Sequence, residues 1–120
     1  VSDKNYHLYF TSTTGWQFFK NSVNTDIAAV VSYANRDITN VLMATTGVEV
    51  EWLRDTGNVP ADNSWSPTYV DGQKHVIRLT SSDMGSEWGF TVRTVKFICR
   101  VFIPVGEDME KVENYVGFKI

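Results

Sequence analysis

The sequence predicts an all-β fold, a two-sheet β-sandwich of the jelly-roll or Greek-key kind. Short runs of aromatic and β-branched residues recur along the chain, and turn-forming residues separate them at roughly ten-residue spacing. Several runs alternate apolar and polar residues, which is the period of a strand with one buried face. The whole chain, 1–120, has the size of one domain.

Each predicted strand is a run of this composition. The runs are YHLYFTS (6–12), GWQFFK (15–20), GVEVEWLR (47–54), HVIRLTS (75–81), WGFTVRTVKFICRVFIPV (88–105) and NYVGFKI (114–120). In 47–54, Val48, Val50 and Trp52 alternate with two glutamates, so we expect their side chains on the buried face. The run 88–105 is longer than a typical strand of about 5–6 residues, so we expect either that a bend or a bulge divides it or that it crosses from one sheet to the other.

The breaks between the runs contain residues that favour turns. The segment 56–67 carries Gly57, Pro60 and Pro67 and is predicted to be a long loop. The Asp-Gly pair in VDGQ (70–73) predicts a tight hairpin. The segment 104–111 is predicted to be a surface turn or one short helical turn.

The segment 25–45 fits two structures. Ile27, Val30, Val31 and Ala34 follow helical spacing, but the same residues also form two apolar runs separated by NRD. We therefore expect either strands or one short helix within 25–45. The alternative fold is an α+β domain in which this segment lies across one sheet.

Composition excludes several classes of protein. Apolar residues make up 42% of the chain and charged residues 21%, which is typical of a soluble globular domain. The net charge of −3 comes without a basic stripe, so we expect no nucleic-acid partner. No apolar run reaches the roughly 18 residues that a membrane span needs, so we expect no membrane insertion.

The start of the sequence and its cysteine content give expectations about the location of the protein in the cell. The sequence begins at Val1 without an initiator methionine and shows no signal peptide, so we expect a module of a larger protein. A single cysteine, Cys99, excludes an internal disulfide. We expect an extracellular or cell-surface location, and the free cysteine leaves a cytoplasmic location open.

Nothing in the sequence predicts catalysis. The two histidines, His7 and His75, lie in strand-like runs, and no hydrolase, zinc-protease or nucleotide-binding motif is present. Cys99 lies in mid-strand, where a small core residue is expected rather than a reactive thiolate. We therefore expect that the domain is not an enzyme.

Aromatic residues in polar loops indicate ligand binding. Trp65 lies in the loop sequence ADNSWSPTY, where its ring either plugs the end of the sandwich or stacks on a sugar ring. Tyr69 would share that platform, and Trp16 or Trp88 would form a second one. The polar residues predicted to bond sugar hydroxyls are Asp62, Asn63, Asp83 and Glu87.

The same loops carry carboxylates that suit calcium. The predicted loops and their borders contain Asp55, Asp62, Asp71, Asp83 and Glu87. Calcium binds loop oxygens of this kind, although none of the spacings matches an EF-hand. A structural Ca²⁺ is therefore one prediction, and the capping of turns by aspartate is the other.

The segment SWSPTYVDGQKHVIRLTSSDMGSEWGFTVRTVKF, about 64–97, resembles the closing hairpin of CUB-like domains. Gly72 corresponds to the turn glycine, Ser82 and Asp83 to a Ser-Asp pair that ends a strand, and Trp88-Gly89-Phe90 to the opening of the last strand. The resemblance implies a jelly-roll sandwich that contacts proteins or glycans, with Asp83 as a calcium ligand. The predicted sandwich and its aromatics are also similar to those of carbohydrate-binding modules.

Two functions follow as expectations. The first is a non-catalytic carbohydrate-binding module that stacks a polysaccharide or another glycan on exposed aromatic residues. The alternative is a CUB-like module of a large multidomain protein, with a protein-interaction or structural role.

Overall fold

In a computed structural model of the chain, residues 6–12, 24–85 and 94–119 are described, and they form two antiparallel sheets. The strands are β1 (Tyr6–Ser12), β2 (Asn24–Tyr33), β3 (Arg36–Asp37), β4 (Glu49–Asp55), β5 (Thr68–Val70), β6 (Gln73–Thr80), β7 (Thr94–Val105) and β8 (Asp108–Lys119). Two short helices, α1 (Thr39–Met43) and α2 (Val59–Ser64), and a 3₁₀ turn (Ser81–Met84) complete the described elements.

The larger sheet has the strand order β1-β2-β6-β5, with β3 paired to β2, and the smaller sheet has the order β4-β7-β8. Every described pairing is antiparallel. The chain passes between the sheets through the segments that contain α1, α2 and the 3₁₀ turn. This arrangement confirms the predicted all-β, two-sheet sandwich.

The core lies between the two sheets because each strand buries alternate residues. In β7 the inward-facing residues are Val95, Phe97, Cys99, Val101 and Ile103, and all of them are buried. Burial of each large apolar side chain contributes about 1.5–3 kcal/mol relative to exposure. The central strand of the smaller sheet therefore supplies much of the stability.

The segment 25–45 contains both structures that its sequence allowed. Its first part is strand β2, in which Thr25, Ile27, Ala29 and Val31 face the core. Residues four positions apart share a face in both a helix and a strand, so Ile27 and Val31 fit either pattern. The expected short helix is α1, which is fixed to β2 because the Val31 N–H donates to Thr39 Oγ1 at 2.9 Å.

The hairpin turns follow the predicted chemistry. Asp71 and Gly72 have φ angles of +53° and +72°, which is the pair of left-handed residues that a type I′ turn requires. The segment 56–67 differs from the predicted loop because α2 forms within it, with the Asn58 side chain capping its first turn and Pro60 near its start.

The long run 88–105 is described from residue 94 onward. There β7 pairs with β8 over its whole length without a shift of register, so the expected bend or bulge does not fall within 94–105. The predicted strand 15–20 lies outside the described residues. Strand β8 begins at Asp108, earlier than the predicted start at 114.

The two sheets also meet along one side, where β1 lies beside β8. The Asn114 side chain reaches across, and its Nδ2 donates to the Leu8 carbonyl at 2.7 Å. Among the described residues, both helices are too short to cross a bilayer.

Candidate functional site

The predicted binding loop around Trp65 packs against one end of the sandwich. The Trp65 ring lies 5.3 Å from the ring of Phe97, a buried core residue, and is itself half-buried. Its indole Nε1 donates to Asp83 Oδ1 at 3.1 Å. The sequence allowed the Trp65 ring either to plug the end of the sandwich or to face a ligand. In the structure the ring packs at the edge of the core.

Asp62, in the same loop, is engaged in an enclosed ion pair. Arg54 Nε lies 2.8 Å from Asp62 Oδ1, and the two side chains are 7% and 9% exposed. The Thr56 N–H and hydroxyl also donate to Asp62, at 2.9 and 2.8 Å. Burial by itself would raise the pKa of Asp62, but the Thr56 hydrogen bonds and the Arg54 charge together lower it. All of these contacts hold the loop to strand β4.

Asp83 joins the 3₁₀ turn to this end of the sandwich. Its Oδ2 accepts the Thr80 N–H at 2.8 Å and its Oδ1 accepts the Trp65 indole, while Arg54 Nη1 donates to its carbonyl at 3.2 Å. Among the described residues, no group of three or more His, Cys, Asp or Glu side chains is placed to hold a metal ion. A calcium ion at Asp83 would compete with both hydrogen bonds, and it stays a prediction.

The remaining sequence-predicted binding residues are not brought together with Trp65 by any described contact. Asn63 is exposed on α2, and Tyr69 is exposed on the short edge strand β5. Trp16, Glu87 and Trp88 lie outside the described residues. In the part of the chain that the structure describes, the residues at this end of the sandwich therefore bond to each other and pack on the core.

Two residues that could have carried chemistry are placed in the core. Trp52 is buried, and its Nε1 donates to the Lys74 carbonyl at 3.0 Å. Cys99 is buried in β7, and burial raises the pKa of its thiol to about 12. A thiol with this pKa is protonated at neutral pH and is a poor nucleophile.

The outer face of the smaller sheet carries an exposed aromatic ring that the sequence did not single out. Tyr115, in the middle of β8, is 56% exposed. It pairs with Ile98 of β7, which in turn pairs with Leu53 of β4, so the three side chains form a row across the sheet. Ile98 and Leu53 are half-buried. The row makes an apolar strip that ends in the tyrosine.

An open depression of about 400 Å³ lies beside this tyrosine. The residues that line it with Tyr115 and Ile98 are Asp55, Lys96, Glu113 and Asn114. The Lys96 ammonium lies 4.9 Å from the centroid of the Tyr115 ring, within the range of a cation–π contact. The depression therefore combines an aromatic face, hydrogen-bond donors and acceptors in a small area.

Strand β8 is bare beside this depression because residue 117 is glycine. Gly117 pairs with Lys96, so it belongs to the same outer face. A Cβ added at Gly117 would meet nothing within 4 Å. Glycine in the interior of a strand lowers its stability and often marks a place where another molecule approaches the backbone.

The charged residues further along this face pair with each other. Arg100 bonds Glu51 and Glu113, each at 3.2 Å, and Lys111 lies 3.4 Å from Glu113. The hydrogen bond from Arg100 is the main cause that lowers the pKa of Glu113. The network holds the Glu113 carboxylate at the rim of the depression in its ionised form.

A second open depression, of about 420 Å³, lies between α1 and the β5–β6 hairpin and includes His75. The Nδ1 atom of His75 is buried and has no hydrogen-bond partner among the described residues. Burial, and secondly the charge of Lys74, lower the pKa of His75, so the imidazole is neutral at neutral pH. Because Nδ1 is buried, only Nε2 of the imidazole is left to contact a molecule in this depression.

Comparison with known proteins adds no further evidence. No protein-family model, no curated protein and no solved structure matches this chain. The resemblance to CUB-like domains and to carbohydrate-binding modules therefore stays a prediction.

Proposed function

We propose that this domain is a non-catalytic carbohydrate-binding module that holds a glycan on the outer face of its smaller sheet. The observation that supports the proposal best is the exposed Tyr115 ring beside a depression lined by Asp55, Lys96 and Glu113. The proposed binding surface is therefore the outer face of the smaller sheet and not the Trp65 loop that the sequence suggested.

An exposed tyrosine suits a sugar because a pyranose ring has an apolar face of C–H groups. Tyrosine offers a flat apolar area together with a hydroxyl that donates and accepts hydrogen bonds. Its side chain has few rotatable bonds, so little conformational entropy is lost on binding. Trp65 is less suited to this role because its indole N–H is bonded to Asp83 and its ring packs on Phe97.

The polar residues around Tyr115 match the hydroxyls of a sugar. Each hydroxyl both donates and accepts, so a site that binds several hydroxyls needs acceptors and donors together. Asp55 and Glu113 supply carboxylate oxygens, and Lys96 supplies an ammonium group. A pocket with a few such polar groups around an apolar surface is the general form of a small-molecule site.

The bare backbone at Gly117 supports the same reading. A sugar unit next to the one that stacks on Tyr115 could lie on the strand because no side chain rises at Gly117. The surface is open rather than enclosed, which suits an extended chain whose ends continue beyond the domain.

The proposal is tested by affinity electrophoresis on a panel of plant, fungal and bacterial polysaccharides, with three variants. Tyr115→Ala should weaken binding at least about tenfold, because loss of a central aromatic anchor typically costs that much or more. Gly117→Val should also weaken binding, because its side chain would cover the strand. Since valine favours strands and meets nothing within 4 Å there, Gly117→Val should leave the stability unchanged or raise it by about 0.5–1 kcal/mol.

Tyr9→Ala is the matched control, because Tyr9 is also an exposed strand tyrosine, 47% exposed, but lies on the outer face of the larger sheet. It should bind like the unaltered domain. Equal binding by the Tyr115 and Tyr9 variants would contradict the proposed surface. Absence of retention on every polysaccharide would contradict the proposed function and leave a protein-interaction module as the remaining candidate.

A further inference from the structure

We infer that the glycan bound at this site carries carboxylate groups, as uronic-acid polymers do, and that Lys96 selects them. This inference rests on the proposed function, since it names the class of sugar that the Tyr115 surface takes. The observation behind it is an exposed ammonium group that lies against the platform and has no carboxylate partner among the described residues.

Among the basic side chains that the structure describes near the site, the others have their charge compensated. Arg100 lies between Glu51 and Glu113, and Lys111 pairs with Glu113. Lys96 differs, because its described interaction is with the Tyr115 ring. Its neighbour across the strands, Asp55, accepts the Gly57 N–H at 3.1 Å instead. Of the described residues that line the depression, Lys96 is therefore the cation that is available to pair with a ligand.

The placement of Lys96 matches the shape of a uronic acid. The carboxylate of such a sugar projects from the edge of its ring, a few ångströms from the ring centre. The Lys96 ammonium lies 4.9 Å from the Tyr115 centroid, so a sugar on the tyrosine would bring its edge close to the ammonium. One sugar unit could then stack and form the ion pair at the same time.

The surrounding charge favours a carboxylated sugar over a densely sulfated one. Asp55 and Glu113 line the same depression and would repel additional negative charge. One ammonium group that has no ion pair among the described residues can pair with one carboxylate, but it does not balance several sulfate groups on adjacent sugars. We therefore expect one paired carboxylate at the site.

Gly117 keeps this position accessible. It is the β8 partner of Lys96, and the space above it is open. A side chain there would stand between a bound sugar and the ammonium group. The same glycine that lets a glycan lie on the strand therefore also leaves Lys96 within reach of the ligand.

The experiment compares carboxylated polymers with the same polymers after reduction of the carboxyl groups to alcohols. The probes are polygalacturonate, alginate, hyaluronate and the reduced form of each, with dextran sulfate as the sulfated arm. At least one carboxylated polymer should bind about two- to fivefold more tightly than its reduced form, which is the upper part of the range expected for one exposed ion pair. The preference should weaken as salt is added, because exposed ion pairs are screened.

Lys96→Met keeps the length of the side chain and removes its charge. This variant should bind the carboxylated and the reduced polymers equally, while Tyr115→Ala should bind both of them at least about tenfold more weakly than the unaltered domain. Lys111→Met is the control, because Lys111 already pairs with Glu113, and it should retain the preference.

The outcomes separate the inference from the proposed function. Equal binding of carboxylated and reduced polymers, tighter binding of dextran sulfate, or a preference that survives Lys96→Met would overturn the inference while the glycan function stands. Binding that is unaffected by Tyr115→Ala, or absent for every polymer, would overturn both.

Discussion

The enclosed ion pair between Arg54 and Asp62 gives the sharpest test of the structural role assigned to the Trp65 loop. Replacement of Arg54 by methionine leaves the Asp62 carboxylate in a site where both partners are less than a tenth exposed. Breaking a buried pair by removal of one partner typically costs about 3–5 kcal/mol. Both Thr56 donors remain, so we expect the lower end, about 3 kcal/mol.

This loss is a large part of the stability of a small domain, which is about 5–15 kcal/mol. With an unfolding entropy of about 2.1 cal/mol/K per residue, 3 kcal/mol corresponds to a fall in Tm of about 12 °C for this chain. Urea denaturation followed by circular dichroism measures the free energy directly. The double variant Arg54→Met, Asp62→Asn should lose less than the sum of the single losses, because the two residues interact.

Arg78→Met is the matched control for this measurement. Arg78 makes two hydrogen bonds to Asp26, at 2.9 and 3.3 Å, but its side chain is 52% exposed. Exposed pairs of this kind contribute little to stability, so Arg78→Met should be close to neutral. If Arg54→Met were no more destabilising than Arg78→Met, the loop would not be held as described, and Trp65 would return as a candidate platform.

Three further predictions concern the core, the turn and the pH dependence. Cys99 should resist labelling by a disulfide reagent in the native domain and react on unfolding, and fast native labelling would contradict its burial. Gly72→Val should destabilise the domain by about 1–2 kcal/mol in urea denaturation, because a φ of +72° is unfavourable for valine, and a neutral result would refute the described turn. Since the pKa of His75 is lowered on folding, the unfolded chain binds the proton more tightly. The free energy of unfolding should therefore fall as the pH drops from the ordinary histidine pKa of 6.5 to the lowered pKa of His75. Urea titrations at several pH values measure this dependence, and His75→Leu should reduce it. A dependence that is the same in the variant would contradict the assignment to His75.

The fold could be predicted because alternation of apolar and polar residues depends on each strand alone. Val48, which lies just before β4, and Trp52 within it are buried as their spacing predicted, and Val50 packs against the core while partly exposed. The Asp71-Gly72 hairpin could be predicted for the same reason, since its geometry depends on two adjacent residues. The segment 25–45 was ambiguous because residues four apart share a face in both helix and strand.

The candidate site could not be predicted, because it depends on which strands lie side by side. Lys96, Tyr115 and Gly117 come together through the register of β7 with β8, and the sequence of one strand alone does not determine that register. Tyr115 lies in the run predicted to be the final strand, where nothing local indicates that its ring faces solvent. The sequence drew attention to Trp65 because its loop is polar, but its contacts with Asp83 and Phe97 join distant parts of the chain.

The central claim is that a glycan binds on the outer face of the smaller sheet rather than at the Trp65 loop. Titration of the ¹⁵N-labelled domain with oligosaccharides of a retained polymer tests this claim by NMR. The account predicts shifts at the backbone amides of Lys96, Ile98, Tyr115 and Gly117, and an unmoved indole signal for Trp65. A shift of the Trp65 indole signal without shifts along β7 and β8 would contradict it.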